Sequence, residues 1–95
     1  MFDRTLRQMR ERVQAGRYIM TVHGHEEMEA DRLNVFDIEH CVLTGAIVDR
    51  QKDRRTNEWK YAVEGEALSR SPAMVVAKVG PTGKLVIITV YLIRK

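Results

Sequence analysis

Apolar and polar positions follow two periods along this chain, helical in the first half and extended in the second. Phe2, Leu6, Met9 and Val13 recur at the spacing that lines one face of a helix. The pattern predicts a first helix with Asp3 as N-cap and Gly16 as its stop. Arg4, Arg7, Arg10 and Arg12 fall off the apolar stripe and are expected in water. Tyr18-Ile19-Met20-Thr21 reads as a short strand, followed by a helix from Val22 or His23 to Arg32 with Met28 facing inward. Glu26, Glu27 and Glu29 near its start suit the positive end of the helix dipole. A third helix is bounded by Asn34 as cap, Asp37 at the capping-box position, a Leu33–Ile38 staple and Gly45. Ile38, Cys41 and Val42 supply its buried face.

After Gly45 the period shortens to two. Ala46–Arg50 leads to a charged turn over residues 53–57, and Trp59, Tyr61 and Val63 then alternate with Lys60, Ala62 and Glu64. Trp59 and Tyr61 are therefore expected in the core. Residues 65–72 read as a loop, and Met74–Val79 and Leu85–Ile93 as strands joined by Gly80-Pro81-Thr82-Gly83. The last strand is apolar on both faces, which suits an interior place in a sheet. The order α-β-α-α-β-β-β-β predicts an α+β fold: N-terminal helices on one face of a twisted, mainly antiparallel sheet.

Ninety-five residues, 44% of them hydrophobic, are expected to form one domain with one modest core. No apolar run approaches the ~20 residues of a membrane span, and the N-terminus lacks the apolar stretch of a signal peptide. Cys41 stands alone, which excludes an internal disulfide. A cytoplasmic protein is the expectation. The net charge of +3 is unevenly spread. Five arginines oppose Asp3 and Glu11 in residues 1–17, Arg32 alone opposes six acidic groups in 18–45, and ten basic groups oppose five acidic ones in 46–95. Nucleic acid, if bound, should lie on the sheet side, away from the acidic middle helices.

Three blocks carry a family resemblance. They are Thr21-Val22-His23 with the acidic run to Asp31, the helix end Leu43-Thr44-Gly45-Ala46-Ile47-Val48, and the last strand Ile87-Ile88-Thr89-Val90-Tyr91. Together they span roughly residues 18–93. In them the chain resembles an uncharacterised bacterial domain family placed with the RelE/ParE/MqsR-like toxins. The resemblance implies a RelE-like fold and a type II toxin that cleaves messenger RNA without metal, held by a cognate antitoxin. It calls for no cofactor.

Such cleavage needs the ribose 2′-hydroxyl deprotonated, the leaving oxygen protonated and the phosphorane charge stabilised. His23 is the candidate acid or base, with a pKa ordinarily near neutrality. Lys60, Lys78 and Arg50 are candidates to hold the phosphate, and Tyr91 to orient base or ribose. Arg50, Lys52, Arg54 and Arg55 are candidate RNA-backbone contacts, diluted by Asp49 and Asp53. The ordinary alternatives are a His23 that caps its helix, lysines that snorkel and a solvated turn. Glu26, Glu27 and Met74 replace residues common in broader relatives, and favour a second reading: a non-catalytic module that docks an antitoxin-like partner. A third is a metal site built on His23 and His25, which requires both side chains to face one way. His40 is expected to be solvated and Cys41 to be a buried small hydrophobe.

Overall fold

The two periods partition the chain as expected. In the computed structural model, the described residues 2–94 form α1 (Asp3–Gln14), β1 (Tyr18–Met20), α2 (Val22–Ala30), α3 (Val35–Thr44), β2 (Ala46–Asp53), β3 (Glu58–Glu66), β4 (Pro72–Val79) and β5 (Leu85–Leu92). The strands make one sheet in the order β1-β5-β4-β3-β2. β1 runs parallel to β5, and the other neighbours are antiparallel. The fold is α+β, with helices packed against a twisted sheet.

Alternation decides which side chains meet the helices. Val63 on β3 and Ala73, Val75 and Ala77 on β4 are buried against Met9, Met28, Ile38 and Val42. On β5 the buried positions are Leu85 and Ile87, then Val90. The change of phase comes from a β-bulge: Ala77 pairs with Ile87 but Val76 with Thr89, which leaves Ile88 as the extra residue.

Helix ends follow the sequence signals in part, and the glutamates of α2 fall beyond its first turn. Asn34 accepts from the Phe36 and Asp37 N–H groups while Asp37 accepts from the Asn34 N–H, the expected capping box. Asp3, in contrast, lies inside the first turn of α1; Phe2 is the N-cap and provides no side-chain hydrogen bond. Arg10 is not simply solvated. Its guanidinium donates to the Val42 and Gly45 carbonyls at 3.1 and 2.6 Å, which satisfies the C-terminal end of α3 and complements its dipole.

The aromatic expectation holds for Tyr61 alone. Tyr61 packs on the core and meets the Phe2 ring edge-on, whereas Trp59 is 40% exposed, because the β2–β3 hairpin extends past the helices. Both strands are longer than their apolar positions indicate: β2 runs to Asp53 and β3 to Glu66.

α3 crosses β3 with almost no space between backbones. A Cβ on Gly65 would stand 2.4 Å from the Cys41 carbonyl oxygen. Gly65→Ala is therefore expected to lower stability by about 1–3 kcal/mol, read as a drop in the denaturant midpoint. An unchanged midpoint would contradict this packing.

Candidate functional site

The acidic run after β1 has a backbone task. β1 pairs only with residues Leu85 to Ile87, so the outer edge of β5 beyond Ile87 has no partner strand. Thr21 turns the chain there: its N–H donates to the Ile87 carbonyl and its hydroxyl to the Ile88 carbonyl, and its oxygen accepts the Gly24 N–H as the N-cap of α2. Gly24 lets the helix settle against the edge, since a Cβ there would lie 3.1 Å from both the Ile87 and Ile88 oxygens. Farther along, Glu27 accepts the Val90 N–H at 3.3 Å and Asp31 the Leu92 N–H at 2.7 Å. Four residues of helix rise about 6 Å and two residues of strand about 6.7 Å, so carboxylates at i and i+4 match alternate N–H groups. The Leu92 N–H and then Arg94 hold the Asp31 carboxyl below its ordinary pKa.

The two histidines of this run point to solvent. His23 and His25 each pair with a glutamate one turn on, Glu27 at 3.2 Å and Glu29 at 2.8 Å. Thr21, rather than His23, caps the helix. Among the described residues no three His, Cys, Asp or Glu side chains converge as metal ligands. His40 lies 3.6 Å from Glu66. A groove of about 440 Å³ lies between α2 and the end of β5, lined by Glu27, Asp31, Tyr91 and Arg94 among others. Tyr91 lines this acidic groove, whereas His23 does not and reaches it only by its contact with Glu27.

Lys60 and Lys78 lie elsewhere, on the sheet face opposite the helices. Lys78 is held by Glu58 at 3.0 Å, Thr56 at 3.3 Å and Asp53 at 3.5 Å. Glu58 raises the Lys78 pKa, and Lys78 lowers that of Glu58. The Arg55 N–H and then Lys78 hold Asp53 down, and Lys60 is close enough to contribute. Lys78 is thus committed to the hairpin. Tyr91 pairs with Met74, four β4 residues from Lys78, a separation of about 13 Å along the strand.

Arg50 points the other way. It pairs with Tyr61 and Lys52 with Trp59, on the helix side of the hairpin, while Asp49, Gln51 and Asp53 face the open side. The Arg50 guanidinium lies 4.1 Å from the Trp59 ring centre and 5.8 Å from that of Phe2; the Lys52 ammonium lies 4.9 Å from Trp59. Arg54 and Arg55 sit in the exposed turn. Strand alternation therefore separates Arg50 and Lys52 from Asp49 and Asp53, whereas Asp53 stays beside the turn arginines and accepts the Arg55 N–H.

The proposed catalytic residues do not converge: His23 pairs with Glu27, Tyr91 lines the groove between α2 and β5, Lys60 and Lys78 share the open sheet face, and Arg50 is on the opposite face from the lysines. The sequence reading missed Thr21, Glu27 and Asp31 as the groups that bind the β5 edge. Their signal was present as a Thr-x-x-Gly cap followed by carboxylates four residues apart. Cys41 is buried as expected, and burial pushes its thiol up to about 11.

Over residues 20–92 the chain matches the model of a family described as a domain of unknown function, DUF4258, and it belongs to that family. The match begins in β1 and ends with β5, so it contains the whole α2–β5 contact and omits α1. No curated protein and no solved structure matches the chain. No helix is long and apolar enough to cross a membrane, among the described residues.

Asp31→Ala leaves the Leu92 N–H without its charged acceptor, and is expected to cost on the order of 1–3 kcal/mol in chemical denaturation. Because the folded-state pKa of Asp31 is depressed, its contribution is complete above the unfolded carboxylate pKa. It is lost as pH falls through the folded value. The difference in stability between wild type and Asp31→Ala should thus shrink in acid. A gap that stays constant below the carboxylate range would refute the assignment.

Proposed function

We propose that the protein is a toxin-like, RNA-directed member of its family that grips single-stranded RNA on the helix-side face of the β2–β3 hairpin. The observation carrying this reading is the exposed Trp59 ring with the Arg50 guanidinium at 4.1 Å and the Lys52 ammonium at 4.9 Å. An accessible indole offers a base a surface to stack on, and adjacent cations neutralise the phosphates that flank it. Arg54 and Arg55 extend the positive surface at the turn. The resemblance to RelE/ParE/MqsR-like toxins supports RNA as the ligand and a cognate antitoxin as the restraining partner. The helices-on-a-sheet plan agrees with that resemblance.

A second reading, metal-independent cleavage of messenger RNA, has one observation in its favour. His23 and Glu27 form an imidazole–carboxylate pair beside Tyr91, in a groove that also holds Arg94. Against it, Glu27 and Asp31 make that groove acidic and Lys78 is already neutralised. Binding is the better-supported function.

Trp59→Ala is expected to weaken binding of single-stranded RNA about tenfold or more in fluorescence anisotropy. Arg50→Ala with Lys52→Ala should reduce the slope of log affinity against log salt by about 1.4. Unchanged affinity in both variants would remove the hairpin as the contact surface. RNA cleavage by the purified protein that His23→Ala abolishes would favour the second reading.

A further inference from the structure

The sheet face turned away from the helices is unusually apolar for a surface that no described helix covers. Its central positions are Ala62 on β3, Met74 and Val76 on β4, and Val86, Thr89 and Tyr91 on β5, all half-buried or exposed, with Thr89 the one polar side chain among them. Ile19, opposite Val86, adds a side chain 50% exposed at the β1 edge. Antiparallel sheets with one wet face ordinarily alternate to polar side chains there. A contiguous apolar area of this kind marks an interaction surface.

The charges around this face identify the occupant. Lys60, Ala62 and Glu64 project from β3 in a line, with opposite charges about 13 Å apart and the alanine midway. Neither Lys60 nor Glu64 has an ion-pair partner within the described residues. A twofold axis lying between two such faces, perpendicular to the strands and passing through Ala62 and Val76, sets Lys60 opposite Glu64 of the other copy, and the reverse. The same operation sets Val86 against Tyr91, and Val76, Ala62 and Thr89 each against its own copy, so the two threonine hydroxyls can pair with each other. Lys78 falls opposite Met74, already neutralised by Asp53 and Glu58, so covering it leaves no charge unpaired. Asp49 meets its own copy only at the exposed β2 edge, where water screens the repulsion.

The size of the face agrees with a dimer of moderate strength. Four strands about 4.8 Å apart and about 26 Å long, with the three-residue β1 beside them, give roughly 550 Å² of flat area. That is less than the ~800 Å² per partner of a specific interface. Two equally twisted sheets also pack face to face with their strands within about 30° of alignment. The β2 edge is unsuited to self-pairing, because registers that keep the two faces aligned and centre on Asp49 or Arg50 oppose that residue to its own copy.

We propose that a second copy of this chain covers the open face, giving a twofold dimer that leaves the helix-side face of each β2–β3 hairpin outside and places Tyr91 where the interface meets the rim of the α2 groove. This inference does not depend on the proposed RNA binding. Sedimentation velocity of the full chain over a range of concentrations tests it, with wild type expected to move from monomer to dimer as concentration rises. Lys60→Glu should raise the dimer dissociation constant at least about tenfold, since two like-charge contacts replace two attractive ones. The charge-swapped Lys60→Glu/Glu64→Lys variant should restore the dimer. Val76→Asp should give a monomer with unchanged circular dichroism. A wild type that stays monomeric at millimolar concentration would overturn the proposal, and so would a Lys60→Glu protein that dimerises as well as wild type.

Discussion

Every strand at the margin of a sheet presents N–H groups that need acceptors, and here that demand shapes the N-terminal half of the family's span. β1 is three residues long and satisfies β5 only as far as Ile87. From there the outer edge is closed by side chains of α2: the Thr21 hydroxyl, then the Glu27 and Asp31 carboxylates. The arrangement works because a helix turn and a strand dipeptide advance by similar distances. It also requires a residue without Cβ at Gly24, where the helix comes closest to the strand. An open edge would invite pairing with another chain, and α2 prevents that by lying across it.

The same requirement explains why an acidic helix sits in a basic protein. Glu27 and Asp31 are acceptors for backbone donors, and Asp31 also anchors Arg94 beyond the end of β5. Asp37 does comparable work on α3, where one oxygen closes the capping box and the other accepts the Leu68 N–H of the β3–β4 loop. Tyr18 donates to Glu39, and its burial together with that carboxylate pushes the phenol up to about 12. With these carboxylates engaged in structure, the cations of the β2–β3 hairpin other than Lys60 define its helix-side surface and turn. Alternation along β2 then sends Arg50 and Lys52 to the helix side, beside Trp59 of β3, and Asp49 and Asp53 to the open side.

Much of this architecture was legible in the sequence because it depends on local signals. The capping box at Asn34 and Asp37, the two hydrophobic periods and the glycine turn before β5 each rest on a few neighbouring residues. Tertiary contacts were harder to read. Arg10 lies on the polar side of α1 by its spacing, yet caps a helix that ends 35 residues later. Trp59 alternates like a core residue, but the helices end before they reach it. The candidate site suffered from the same limit. Residue type marked His23, Lys60, Lys78 and Tyr91 for chemistry, whereas strand register and the position of α2 decide which of them meet. The cation–aromatic surface required a hairpin register, and the sequence supplied only its residues.

The central claim is that carboxylates of α2 take the place of a missing strand along β5. Amide hydrogen exchange by NMR tests it at Val90 and Leu92. Both amides should be protected in the wild-type protein, and Leu92 should lose its protection selectively in Asp31→Ala while the β4–β5 ladder keeps its own. Rapid exchange at both amides in the wild type, equal to that of an unpaired edge, would contradict the account.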